Sequence, residues 1–370
     1  MNQIGVGIIG GGTTGWAAIS HVPALAALRG FALRAVSTSR RVSADAAAEA
    51  FGVKGYDNHD DLIADPDVDI VVVAVKVAHH RELTTAVVAA GKTVFTEWPL
   101  AIDLENAEEL TLIAAAKGVR TIAGLQGRFA PEVRYARDLI ADGYVGDILG
   151  TTLVGSGAAW GPTATKANSY WYDDKKGVTT FTVPTMHALD AVNHVVGDFA
   201  GITADLVRRR DQVTVADDGS ILTVTAPDHV AISGVLTSGA AASIYYRGGV
   251  SRGDNLRWEI NGTAGDLVLT SSTGNFQVAD LTLSGGRGDD ITVQPLTVPD
   301  AYYSDVPRDL SGPAHNVAQL YAQHARDLAE NTSLVPDFRH ALHRHRFIDA
   351  VNRAASTGVR QLIPAAGVTP

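Results

Sequence analysis

The chain contains no cysteine and only two methionines in 370 residues. Without thiols it has no disulfide framework, thiolate nucleophile, iron–sulfur cluster or cysteine-ligated zinc. Positive charge is also scarce. Thirty Lys and Arg face forty Asp and Glu, leaving a net charge of −10. Nucleic-acid binders usually carry a basic face. The one basic triplet here, Arg208-Arg209-Arg210, runs into Asp211 and reads as a solvated turn or strand end. Long apolar runs are missing as well: the stretch Ile70–Val75 stops at Lys76, far short of the roughly 20 residues that cross a bilayer. The first residues reach a glycine cluster without a charged leader, so no signal peptide is expected. These absences predict a cytoplasmic protein with neither a nucleic-acid nor a membrane partner.

Apolar material is plentiful: 46% of residues are hydrophobic and 19% charged, which rules out disorder. The length suits about two domains. In the first third, short apolar runs alternate with helical patterns. Ile4–Ile9, Phe31–Ser37, Ile70–Val75, Val94–Thr96 and Thr121–Ala123 read as strands. Thr14–Leu28, Ser43–Phe51 (capped by Ser43), His80–Ala90 and Leu104–Lys117 read as helices. This rhythm predicts a doubly wound parallel sheet. A helix over Pro131–Asp142 follows, and then strand patterns dominate: Ile148–Gly155, Ile202–Val207, Ile221–Thr225, Ala231–Leu236, Ala241–Tyr246, Leu256–Ile260 and Leu267–Thr270. Turns at Asn261-Gly262 and Gly265-Asp266 fit a large, mainly antiparallel sheet. Two long helices, Asn316–Glu330 and Phe338–Ala355, close the pattern. The fold class is therefore α/β, with a Rossmann domain over residues 1–124. An α+β domain built on that large sheet is expected over 125–370, its last helix able to pack back on the first domain.

Gly10-Gly11-Gly12-Thr13-Thr14-Gly15 is a G-x-G-x-x-G between a strand and a helix. Gly10 permits a tight turn, Gly12 leaves room for a pyrophosphate, and Gly15 lets helix and strand pack closely. Thr13 and Thr14 lie where the phosphates would meet the helix N-terminus. An NAD site usually places an acid after the second strand. This chain has Ser37-Thr38-Ser39-Arg40-Arg41 there, hydroxyls and guanidinium groups that suit a 2′-phosphate. NADP(H) is preferred and NAD(H) possible, unless both arginines are merely solvated.

The segments GIIGGGTTG (7–15), AVVAAGKTVFTEWPL (86–100), GYVGDI (143–148) and NGTAGDLVL (261–269) resemble the GFO/IDH/MocA oxidoreductase family. VAVKVAHH (73–80), GLQGR (124–128) and TVPTMHALD (182–190) are similar to its galactose-pathway repressor-like branch. The resemblance implies a two-domain dehydrogenase acting on sugars or cyclic polyols, with an open-faced C-terminal sheet used for dimer or tetramer formation.

The resemblance also maps catalytic positions, and two depart from the pattern. The usual Glu-Lys-Pro is Glu97-Trp98-Pro99, and the usual first Asp of D-x-G-x-H-x-x-D is Val183. His187 and Asp190 remain, His187 as the general acid/base and Asp190 as the group that orients it or as a simple cap. Lys76, at a strand's C-terminal end, is a candidate for the lost ammonium or a ribose contact, and equally a solvated lysine. His80, Glu97, Trp98, Gln126 and Arg128 are read as cofactor contacts. Arg128 could instead be a domain-junction ion pair. Trp160, Tyr170 and Tyr172 sit in an aromatic, charged loop suited to a sugar-like ring or to packing, with Tyr172 a reserve proton donor. His340, His343 and His345 stand among arginines that would repel a cation, so a solvated helix and no metal are expected. The leading function is hydride transfer between nicotinamide and a sugar-like carbonyl or alcohol. A non-catalytic dinucleotide-binding regulator and an imine reductase are the alternatives.

Overall fold

The computed structural model describes residues 3–364. The chain divides into two units: Met1–Gln126 with Tyr303–His345, and Gly127–Tyr302 with Arg346–Pro370.

The first unit holds a six-stranded parallel sheet. Its strands are β1 (Ile4–Ile9), β2 (Phe31–Ser37), β3 (Lys54–Tyr56), β4 (Ile70–Val73), β5 (Thr93–Glu97) and β6 (Thr121–Gly124), in the order β3-β2-β1-β4-β5-β6. This order reverses direction at β1, the switch point at which doubly wound sheets bind ligands. All four residues of β4 are buried, as a β-branched strand covered on both faces should be. Helix ends follow their side-chain chemistry. Asp103 accepts the Asn106 N–H at 2.9 Å to open Leu104–Lys117, and Gly118 closes that helix at φ 66°, a backbone setting that favours glycine.

Three expectations are corrected here. The helix over Thr14–Leu28 is two pieces, Trp16–Ile19 and His21–Ala27, broken at Ser20. Pro23 is the cause, because its ring would clash with the carbonyl four residues back, that of Ile19. The next helix begins at Arg41 and is capped by Arg40. Ser43 lies inside it, and its hydroxyl donates to the Arg40 carbonyl at 2.9 Å. The helix Phe338–Thr357 is not simply solvated: Arg344 and His345 are buried.

The second unit is built on a nine-stranded sheet. Its members are β7 (Ile148–Gly157), β9 (Phe199–Val207), β12 (His229–Leu236), β13 (Ala241–Gly248), β14 (Leu256–Gly262), β15 (Gly265–Ser271), β16 (Thr282–Arg287), β17 (Gln294–Pro295) and β18 (Gln361–Leu362). Only β7 and β13 pair in parallel; the other pairs are antiparallel. Along β13, Ala242, Ile244 and Tyr246 are buried while Ala241, Ser243 and Tyr245 are exposed. That alternation marks a sheet with one packed and one open face. The β14–β15 turn is Thr263-Ala264, with Asn261 and Asp266 paired inside the ladder, so the expected turn dipeptides belong to the strand ends. A small sheet of β8 (Thr163–Ala164), β10 (Gln212–Val215) and β11 (Ile221–Thr223) lies in the same unit.

The helix Met186–Val196 is buried almost all round, with only His194 outside its buried set. The turn before it, Phe181–Thr185, is π-helical and contains Pro184. The Thr185 N–H bonds back to the Thr180 carbonyl at 3.2 Å, five residues away, as a widened turn requires. Among the described residues, no helix is long and apolar enough to cross a membrane.

Candidate functional site

In the first unit, five loops, those after β1, β2, β4, β5 and β6, lie at the C-terminal ends of the parallel strands. The glycine loop follows β1, and its Gly10 and Gly11 N–H groups bond to the Ser37 carbonyl at 2.9 and 3.2 Å. Gly10 has φ 89°, and a Cβ there would sit 2.4 Å from the Ala74 carbonyl oxygen. Both facts demand glycine. At Gly12 a Cβ would meet only the Thr14 oxygen, at 3.9 Å. That open cradle fits a pyrophosphate drawn against the backbone. Thr13 and Thr14 are exposed beside it. Gly15 differs from its expected role. Nothing lies within 4 Å of its Cβ position, and its φ of 95° is what selects glycine. Close packing falls on Gly11, whose Cβ would lie 2.8 Å from Val36.

After β2, the Thr38 hydroxyl lies 2.7 Å from that of Ser43 and donates to it, since Ser43 gives its own proton to the Arg40 carbonyl. Ser39 and Arg40 are exposed. The two arginines have different surroundings. Arg41 is held by Asp45, through Nε at 2.9 Å, and by the Gly55 carbonyl. Among the described residues the Arg40 guanidinium makes no hydrogen bond or ion pair. One cation, not two, is thus available to a 2′-phosphate.

After β4, Lys76 is exposed and opens a short 3-10 turn. His80 follows, buried, with Nδ1 2.9 Å from the Pro99 carbonyl and Nε2 3.0 Å from that of Val75. It bridges the loops after β4 and β5. Burial lowers its pKa, against the upward pull of the carbonyls of Val75, Pro99 and Leu100.

Glu97 and Trp98 end β5. Glu97, expected among the cofactor contacts, instead receives His21 Nε2 at 2.8 Å, and His21 Nδ1 lies 2.9 Å from the Tyr321 hydroxyl. The His21 ring thus links the Glu97 carboxylate to the Tyr321 hydroxyl. This internal chain engages Oε1 of the carboxylate. Trp98 is 5% exposed, joined to Pro99 by a cis peptide bond, and its indole lies 5.0 Å from the His345 ring. His345 is pushed down to about 4 by burial, so it is neutral against the indole. His21, Tyr321 and His345 were not among the expected site residues.

Gln126, after β6, is 1% exposed, and neither its amide nitrogen nor its amide oxygen has a partner. Buried amides rarely go unbonded, so this side chain offers a donor and an acceptor to a polar group such as a carboxamide. With the open Gly12 cradle, the loops fit a nicotinamide dinucleotide.

In the second unit, His187 stands one residue into its helix, 4% exposed, with Nδ1 unpartnered. Burial pushes it down to about 4, against the upward pull of Asp190. Asp190 does not orient it through that nitrogen. Both carboxylate oxygens are taken by Arg128, at 2.8 Å from Nε and 2.5 Å from Nη2. Arg128 is thus the ion-pair partner that its second reading expected, with both partners in the second unit rather than across a domain junction.

Tyr172 is also corrected. It packs with Ala164, Val213 and Val224, and its hydroxyl faces the carbonyls of Ala159, Gly161 and Thr163 at 3.0–3.3 Å. Burial raises its pKa, so it anchors the loop and is a poor proton donor. Trp160 is buried under Trp171, their rings stacked at 4.7 Å, which removes its face from a substrate. Tyr170 meets the edge of Trp171 at 6.2 Å.

Two family models match successive parts of the chain. Residues 4–125 match the oxidoreductase family with an NAD-binding Rossmann fold, and residues 131–271 match the Gal80p C-terminal domain. The galactose/lactose metabolism regulatory protein GAL80 of Saccharomyces cerevisiae is 28% identical over 90% of this chain and 84% of its own length. A crystal structure of a Gal80p super-repressor mutant from that yeast superimposes with a TM-score of 0.89 at 25% identity, covering all of both chains. The dehydrogenase aclE of Aspergillus oryzae is 28% identical over 89% of this chain and 88% of its own. Levoglucosan dehydrogenase, solved with NADH and levoglucosan, shares the fold at a TM-score of 0.85 and 22% identity, over 98% of this chain and all of the other. The chain belongs to the GFO/IDH/MocA fold family and is closely related, in sequence and in structure, to its GAL80 regulator branch.

Proposed function

We propose that this chain is a dinucleotide-binding regulator: it holds NAD(P)(H) and responds to it without transferring hydride. The observation that carries this reading is Trp98, buried against a neutral His345 where the family resemblance calls for lysine. An indole N–H donates a hydrogen bond but is too weak an acid to serve as a general acid at neutral pH. The second expected acid is Val183, and Asp190 is committed to Arg128. Similarity to a regulatory protein across most of both chains supports the same conclusion.

The residues in hand would bind the cofactor in parts. The Gly10–Gly15 loop takes the pyrophosphate, Arg40 the 2′-phosphate of NADP(H), and Gln126 the carboxamide. Lys76 and the Thr38–Ser39 hydroxyls contact the ribose. When bound, the dinucleotide supplies a nicotinamide able to give or take hydride. The protein is a homo-oligomer through the open face of its large sheet, and its small-molecule effector is sugar-like. The deciding experiment measures binding and turnover on one preparation: saturable cofactor binding without nicotinamide oxidation or reduction over a panel of sugars, polyols and imines.

A second reading, a sugar or polyol oxidoreductase, is favoured by one observation. His187 keeps a buried, unpartnered Nδ1 of the kind a substrate hydroxyl would meet. The likeness to the dehydrogenase aclE supports it too. Turnover lost in His187→Ala would establish that reading.

A further inference from the structure

The second unit carries a basic cavity that the reading above does not use. Strand β12 pairs antiparallel with both β9 and β13. The ends of β9 and β13 and the start of β12 therefore lie at one edge of the sheet. His229 sits opposite Arg247 on one side and Val207 on the other. Arg210 comes from the loop past β9 and Arg252 from the loop past β13. These four side chains, with Ser251, frame a cavity of about 550 Å³.

We propose that this cavity binds a phosphate-bearing small molecule. Two of the three guanidinium groups are built into place, with donors to spare. Arg210 gives Nη1 to Asp228 at 3.1 Å and to the Gly248 carbonyl at 2.9 Å. Arg247 gives Nη2 to the Asp254 carbonyl at 2.7 Å. Among the described residues, Arg252 has no partner. The carboxylate beneath is already satisfied. Asp228 accepts the Arg209 and Arg210 N–H groups at 2.7 and 3.2 Å and His229 Nδ1 at 3.0 Å. Burial alone would raise its pKa, yet these contacts hold it below the ordinary carboxylate value. Because the carboxylate accepts, His229 Nδ1 carries the proton, leaving Nε2 as the ring atom not engaged with Asp228.

In a chain of net charge −10, three arginines around one cavity form a local exception. Guanidinium forks match phosphate oxygens two at a time. The pocket is open on one side, which leaves room for the organic part of a phosphorylated small molecule beyond the phosphate itself.

The test is calorimetric titration of the full chain at low salt with inorganic phosphate, glucose 6-phosphate, glucose and acetate. Saturable binding of both phosphates is expected, with glucose and acetate silent. Arg252→Ala, at an exposed position without a partner, should weaken glucose 6-phosphate by about tenfold, and Arg247→Ala/Arg252→Ala should weaken it further. Arg40→Ala should leave that affinity unchanged, which separates this cavity from the dinucleotide loop. Unchanged binding in the double variant would overturn the proposal. So would acetate binding as tightly as phosphate, or loss of glucose 6-phosphate binding in Arg40→Ala.

Discussion

The Trp98 indole and the His345 imidazole pack at 5.0 Å between centroids, tilted by 46°, and both side chains are at most 5% exposed. This contact fills the position at which the related dehydrogenases are expected to hold an ammonium. A lysine there would be buried, and the neighbouring Glu97 carboxylate is already engaged by His21 through Oε1. Trp98→Lys should lower stability by more than about 3 kcal/mol and produce no turnover. Urea unfolding and a nicotinamide absorbance assay check both halves.

Arg128 and Asp190 form a bidentate pair that is almost fully buried. Removing one partner strands a charge. Asp190→Ala and Arg128→Ala should each cost about 3–5 kcal/mol. The double variant should cost less than the two losses added together. Additive losses in a double-mutant cycle would show that the pair contributes little.

Two glycines of one loop should fail differently. Gly12→Ala places its methyl in open space, so stability should stay within about 0.5 kcal/mol of wild type while dinucleotide affinity falls. Gly10→Ala combines a positive φ with a 2.4 Å approach to the Ala74 carbonyl and should destabilise the fold by about 1–3 kcal/mol. Thermal unfolding and cofactor titration, run side by side, distinguish them.

Cofactor choice should depend on one arginine. Arg40→Ala is expected to weaken NADPH more than NADH. Arg41→Ala, whose guanidinium is already on Asp45, should change the two alike. Equal losses in Arg40→Ala would remove the NADP(H) preference.

Acid should destabilise the fold through its buried histidines. His187, His324 and His345 are each pushed from 6.5 to about 4, chiefly by desolvation. The unfolded chain then binds more protons than the folded one below pH 6.5. Their contribution is fully present above that pH and is lost as pH falls towards 4, on the order of 3 kcal/mol for each group. Paired carboxylates act in the same direction at lower pH. His324→Gln isolates the histidine part and should flatten the slope of stability between pH 6.5 and 4.

Much of the fold could be read locally. The β-branched run of β4, the glycine loop after β1 and the Asp103–Gly118 helix ends each carry their structure in a few adjacent residues. The break at Ser20 was readable too, since Pro23 forbids the bond that a continuous helix would need. The site was less legible because its decisive contacts join distant positions. Glu97 reaches His21 and Tyr321 through hydrogen bonds 76 and 300 residues apart, and Asp190 meets Arg128 across 62. No periodicity encodes such pairs. His345 shows the same limit: its basic neighbours suggested a solvated helix, and only packing against Trp98 reveals it as buried.

The most direct measurement pairs cofactor titration with a turnover assay on the same protein. NADPH and NADH are titrated by nicotinamide fluorescence, and absorbance is then followed with sugars, polyols, keto-sugars and cyclic imines. The account predicts saturable binding, weakened by Gly12→Ala, and no change in absorbance with any compound. Steady turnover of one of them, abolished by His187→Ala, would contradict it.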